Sequence, residues 1–186
     1  MLFGTKDLFA IEAMSEPGLR PPSAVWGQMQ VWCEGESIGD YAEPSCALYP
    51  AYCGFKHLAK ALPQLWTREL DGLSDIDLWN HFDGLLYGYH GDTELQDDRT
   101  LEQVQSDSKK WGGYNFLTNW GEQFDNGGKS FILCKPNNVV CVLNRSHLPE
   151  RGISFCAPLN ETLAAIRQYI EWFKDESASL GVPADA

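Results

Sequence analysis

Between Ala24 and Glu34 the chain alternates, with Val25, Gly27, Met29, Val31 and Cys33 on one side and Trp26, Gln28, Gln30 and Trp32 on the other. A period of two predicts a long β-strand with one buried face and aromatic residues on its second face. Upstream, Asp7 to Met14 carries the apolar run Leu8-Phe9-Ala10-Ile11 and reads as a first strand, and Pro17, Gly18, Pro21 and Pro22 make Ser15 to Ser23 a loop. Gly35 and Glu36 form a tight turn into Ser37 to Tyr41, the hairpin partner, so the chain begins as an antiparallel meander. Lys129 to Lys135 and Val139 to Asn144, either side of Pro136-Asn137-Asn138, predict a second hairpin, and Ile153 to Ala157 a further short strand.

Elsewhere the apolar positions recur every three to four residues. Pro50 to Leu62 presents Tyr52, Phe55, Leu58/Ala59 and Leu62, and Pro63 stops it. Ser74 to Tyr87 presents Leu78/Trp79, Phe82 and Leu85/Leu86, with Ser74 as N-cap, Asp75 and Asp77 at the positive end of the helix dipole, and Gly88 as the stop. Thr100 is placed to cap a short helix carrying Leu101, Val104 and Trp111, although Ser106-Asp107-Ser108 weakens it. Asn160 is placed to cap a last helix with Leu163, Ile166, Tyr169/Ile170 and Phe173 on its buried face. Gly54 and Gly84, inside helical patterns, imply a close helix crossing. Asn119 to Asp125 reads as a buried turn with Trp120 and Phe124 docked inward. The pattern predicts a single α+β domain over residues 1–175, mostly antiparallel sheet packed on one face by about three helices. Residues 176–186 are expected to form a polar, mobile tail.

Charge changes this picture. From Glu69 to Asp107 there are eleven acidic residues against Arg99 alone, a local charge of −10 in a chain whose total is −12. Such a field repels nucleic acid and anionic membrane and steers basic partners inward. It also suits a solvated face serving solubility, and charge alone leaves both readings open. No apolar run reaches the ~20 residues of a membrane span, and the N-terminus lacks the features of a secretory signal, so a cytoplasmic protein is expected.

Candidate chemistry is sparse. The six cysteines include no C-x-x-C pair and read as reduced, buried thiols. Cys46, Cys53 and His57 would share a helix face only if Pro50 did not intervene, so no metal or other cofactor is expected. His81 and Asp83, two apart on one helix, point in different directions and cannot act together from it, which weakens a cluster with His90 and Asp92. Glu122 with Asp125, or Asp97 with Asp98, could be drawn as a hydrolase's carboxylate pair, but nothing sets their separation. There is no G-x-S-x-G elbow, phosphate loop, dinucleotide fingerprint or H-E-x-x-H, and no catalytic residue is assigned.

A resemblance joins these segments. Phe3-Gly4 with Phe9-Ala10-Ile11, Val31-Trp32-Cys33-Glu34-Gly35 before Ile38-Gly39-Asp40, Leu86-Tyr87-Gly88 closing an amphipathic helix, and Gly121-Glu122-Gln123-Phe124-Asp125 leading into a strand resemble the immunity protein 42 family, as does the terminal helix. The similarity runs from about Phe3 to Phe173. It implies a cytoplasmic, non-enzymatic protein that binds and neutralises a bacterial toxin domain; Cys46 to His57 and the acidic insert after Gly91 are not family features. The acidic stretch then supplies candidate partner-binding residues: Asp71, Asp75, Asp83, Asp92, Glu94, Asp97 and Asp98, with Tyr87, Tyr89 or Trp111 as aromatic anchors. A carboxylate-dependent hydrolase with a Trp-lined cleft and an acidic adaptor for another basic protein are the alternatives.

Overall fold

A computed structural model of the chain describes residues 1–16, 18, 25–43, 46–145, 154–182 and 184. Most of the predicted loop from Ser15 to Ser23, Ile153 of the predicted last strand, and the last two residues of the chain lie outside them.

The strand expected from Asp7 to Met14 is present from Phe9 onward, and a further strand that the pattern did not predict precedes it. β1 (Leu2–Thr5) and β2 (Phe9–Ser15) pair antiparallel with Phe3 opposite Ile11, because Lys6 and Asp7 turn the chain and Leu8 N donates to Thr5 O at 3.0 Å. β3 (Trp26–Cys33) alternates as its pattern predicts, burying Gly27, Met29, Val31 and Cys33. The following turn is Glu34-Gly35, one residue earlier than expected. Both residues have positive φ (49° and 81°), as a two-residue turn matching the strand twist requires. Its partner β4 (Glu36–Ile38) is short, and β5 (Cys46–Ala47) pairs with the other end of β3.

α1 (Tyr49–Ala61) buries Tyr52, Phe55 and Leu58. A Cβ on Gly54 would lie 2.5 Å from the Trp120 ring, so this glycine admits an indole from the Asn119 to Asp125 segment rather than a crossing helix. α2 (Asp75–Tyr87) has the predicted ends: Ser74 Oγ accepts from Asp77 N at 3.3 Å, and Gly88 closes the helix in the left-handed region. The next residues include a small hairpin, β6 (Tyr89–His90) and β7 (Thr93–Glu94), whose strands are too short to show in the sequence pattern. α3 (Leu101–Trp111) forms despite its polar middle because Thr100 and Gln103 make a reciprocal capping box.

β8 (Asn115–Phe116) precedes a 3₁₀ segment, Glu122–Gly127, and then β9 (Ser130–Lys135), β10 (Val139–Asn144) and β11 (Ser154–Pro158). α4 (Leu159–Ser179) starts directly from Pro158, which corrects the expected cap: Asn160 lies inside the first turn. The helix also runs past Asp175 to Ser179 with Ser177 buried, so the first residues of the predicted tail are helical.

The α+β class is as expected, but the strands divide between two main antiparallel sheets, ordered β1-β2-β3-β4 with β5 also on β3, and β11-β10-β9-β8. Four α-helices pack on them among the described residues, in line with the about three expected. β9 and β10 are buried at nearly every position, so the second sheet is covered on both faces. α4 lies on β1, β2 and α1, with Tyr52 and Phe173 stacked at 4.4 Å; α2 packs on α3 and β10, with Phe82 4.7 Å from Tyr114 and 5.3 Å from Phe131. The buried apolar side chains form one continuous cluster. This core presents α2, the small hairpin and α3 as one outer flank.

Candidate functional site

That flank contains the acidic stretch, and the structure sorts its residues into two groups. The first is held internally. Asp83 is fully buried, accepting from Lys129 Nζ at 2.5 Å and Gly91 N at 3.1 Å, so it supports the β6–β7 hairpin from beneath. This corrects its expected surface role. Asp75 is held by Ser154 Oγ at 2.5 Å and Lys135 Nζ at 3.4 Å. Asp71 accepts from Trp66 Nε1 at 3.0 Å. Asp97 is clasped by Arg99, whose Nε and Nη2 donate to it at 2.8 and 2.7 Å; these bonds hold its carboxyl down at about 2. Arg99 also donates to Asp107, to Leu85 O and, more weakly, to Gly84 O, tying loop, α2 and α3 together.

The second group is Asp92, Glu94 and Asp98 on the hairpin and the segment after it, with Asp77 and Glu102 on the two helices. All five are exposed and make no ion pair among the described residues.

The aromatic residues divide in the same way. Trp111 is only 2% exposed and packs edge-on against His81 at 4.9 Å, so the expected anchor belongs to the core. Tyr87 is half-buried, donating to Asn115 Oδ1 at 2.8 Å, and burial pushes its phenol up. Tyr89 is exposed, with Lys129 4.5 Å from its ring centroid. Further exposed apolar residues on this flank are Ile76, Leu95 and, at 72% exposure, Leu101. Leu101 follows directly on the cap of an otherwise polar helix, a local sign of an outward apolar residue. Between α2 and the 95–103 segment runs an open groove of about 540 Å³, bordered by His81, Leu85, Leu95, Asp98, Arg99 and Gln103.

The two carboxylates with shifted proton affinity among the described residues, Asp97 and Glu12, are both held low. Asp97 is fixed as an anion by Arg99. Burial pushes Glu12 up, but hydrogen bonds from Lys6, Trp32 and Gln30 outweigh it and hold it low. Among the described residues no three His, Cys, Asp or Glu gather as metal ligands, and no helix is long and apolar enough to cross a membrane.

An α+β domain showing an acidic, apolar-studded flank has the build of a protein that works by binding, and comparison with known families places the chain among the toxin-neutralising immunity proteins. It belongs to the immunity protein 42 family, whose model matches residues 1–148. The match ends before β11 and α4, so the terminal helix is outside it. The fold is similar to the crystal structure of CdiI from Burkholderia dolosa AUO158, with a TM-score of 0.61 and 13% identity over 92% of this chain and 99% of that one. No curated protein sequence matches the chain. Immunity proteins bind their cognate toxins, and the family implies an inhibitor rather than an enzyme.

Proposed function

We propose that this protein neutralises a toxin domain with a basic, phosphate-binding cleft, such as a nuclease, by laying the α2–hairpin–α3 flank across that cleft. The observation that carries the reading is the leftover charge: once the stretch has made its ion pairs, Asp92, Glu94 and Asp98 remain exposed beside Tyr89, Leu95 and Leu101. The carboxylates would take the Lys and Arg side chains that otherwise hold phosphate, and the apolar residues would supply desolvated anchors. Asp71, Asp75 and Asp97 act at the rim of this surface, Tyr87 and Asp83 by supporting it. A stable complex needs roughly 800 Å² per partner, which a 186-residue domain can offer on one flank. The similarity to a CdiI protein supports a setting in contact-dependent inhibition, with the complex formed in the cytoplasm.

The test pairs the protein with the C-terminal domain of its cognate toxin. The triple variant Asp92→Lys, Glu94→Lys, Asp98→Lys should fold normally, fail to rescue growth on co-expression, and bind at least 100-fold more weakly by calorimetry. Unchanged affinity would place the interface on another face. An unrelated basic protein binding as tightly as the toxin would favour an adaptor.

A further inference from the structure

Away from the acidic flank, β10 and β11 set two cysteines directly opposite each other. Cys141 pairs with Cys156 in the register, and their Sγ atoms are 2.8 Å apart, against the ~2.05 Å of a disulfide bond. The backbone suits a bond. Cys156 N points away from β10, donating to Glu34 Oε1 at 2.9 Å, whereas Leu159 N, three residues on, donates to Asn138 O. That alternation makes Cys141–Cys156 a non-hydrogen-bonded pair, the class whose Cα atoms approach to about 4.5 Å, inside the roughly 4.4–6.8 Å that disulfides span.

The two thiols are not equivalent. Cys141 is fully buried and Cys156 half-buried. The contact with Cys141 lowers the proton affinity of Cys156, burial opposes this, and the nearby Lys135 ammonium lowers it further. Cys141 itself is pushed up by the neighbouring sulfur and by burial. A half-buried sulfur that gives up its proton more readily than a free thiol thus stands in contact with a buried one placed to resolve it. The other cysteines lack this arrangement: Cys33, Cys46 and Cys134 are buried, and no sulfur partner is found for them or Cys53 among the described residues.

We propose that Cys141 and Cys156 form a reversible disulfide by exchange with a small-molecule disulfide. The Cys156 thiolate attacks one sulfur of the oxidant, breaking its S–S bond and releasing one thiolate, which takes up a proton. Cys141 then gives up its proton and attacks Cys156 Sγ, expelling the second thiol. Two electrons pass from the cysteine pair to the small molecule. The bond staples β11, and with it the start of α4, to the centre of the second sheet.

Incubating the wild-type protein with glutathione disulfide tests this. Thiol titration should fall by two of the six cysteines, and peptide mapping should find Cys141 joined to Cys156. The melting temperature should rise by roughly 5–10 °C, because a loop of about 15 residues is closed, and dithiothreitol should reverse it. Cys141→Ser should stop at a mixed disulfide on Cys156, whereas Cys156→Ser should leave Cys141 at least 10-fold slower to react. Six thiols persisting in the wild type, a link between any other pair, or an oxidised form no more stable than the reduced one would overturn the proposal.

Discussion

His81 shows what one buried polar atom does to stability. Its ring stands edge-on to Trp111 at 4.9 Å and beside Phe82 at 5.6 Å, and its Nε2 is buried without a hydrogen-bond partner among the described residues. Desolvation lowers its proton affinity below the ordinary histidine range; Glu69 and Asp107 oppose this and Lys110 reinforces it. A group whose affinity falls on folding contributes stability that is complete above its unfolded value of about 6.5 and is lost as pH falls through the folded value. The urea midpoint should therefore drop between pH 7 and pH 5, before Asp97 and Glu12, both held low, begin to protonate. His81→Phe keeps the aromatic contacts and removes both the titration and the orphaned nitrogen, so its midpoint should stay nearly level across that window. An equal drop in the variant would assign the acid sensitivity elsewhere.

At the scale of elements, Arg99 decides how the flank is held. Its guanidinium reaches the C-terminal carbonyls of α2, Asp97 of the loop and Asp107 of α3, so one side chain fixes three segments whose local contacts are mostly polar. Arg99→Ala should cost about 1–2 kcal/mol, with faster amide exchange concentrated in residues 88–111. Lysine should not restore protection, because a point charge cannot replace the planar fork. Uniform exchange along the chain would refute this role. Such a clasp is invisible to local pattern reading, and the same division runs through the fold. The ends of α2 were legible because Ser74 and Gly88 act on their immediate neighbours. The start of α4 was misread because Pro158 and Asn160 are competing local signals. The burial of Asp83 depends on Lys129, 46 residues away, and the β6–β7 hairpin has strands too short to show a period. Composition pointed to the stretch that holds Asp92, Glu94 and Asp98, whereas the outward direction of Leu101 had only its place directly after the cap of α3 to signal it.

For the whole molecule, the acidic flank is a cost that folding must carry. Of the eleven acids from Glu69 to Asp107, Glu69, Asp75, Asp83, Asp97 and Asp107 meet a cation, while Asp71, Asp77, Asp92, Glu94, Asp98 and Glu102 make no ion pair among the described residues. Their mutual repulsion acts over a Debye length of about 30 Å at 0.01 M salt and only about 8 Å at 0.15 M. Stability should therefore rise with salt, the reverse of a protein held by surface ion pairs. Neutralising the exposed trio as Asp92→Asn, Glu94→Gln, Asp98→Asn should raise the urea midpoint at low salt by roughly 0.2–0.5 M and shrink the salt effect. If the proposed interface holds, the same variant should associate with the toxin more slowly at low salt, with much of the difference gone at high salt, because the field that destabilises the free protein would also steer the encounter. A variant that gains stability yet associates at the wild-type rate would separate the two effects and leave these carboxylates as solvation alone. A gain in stability with a loss in on-rate would mean the repulsion is retained because the partner relieves it.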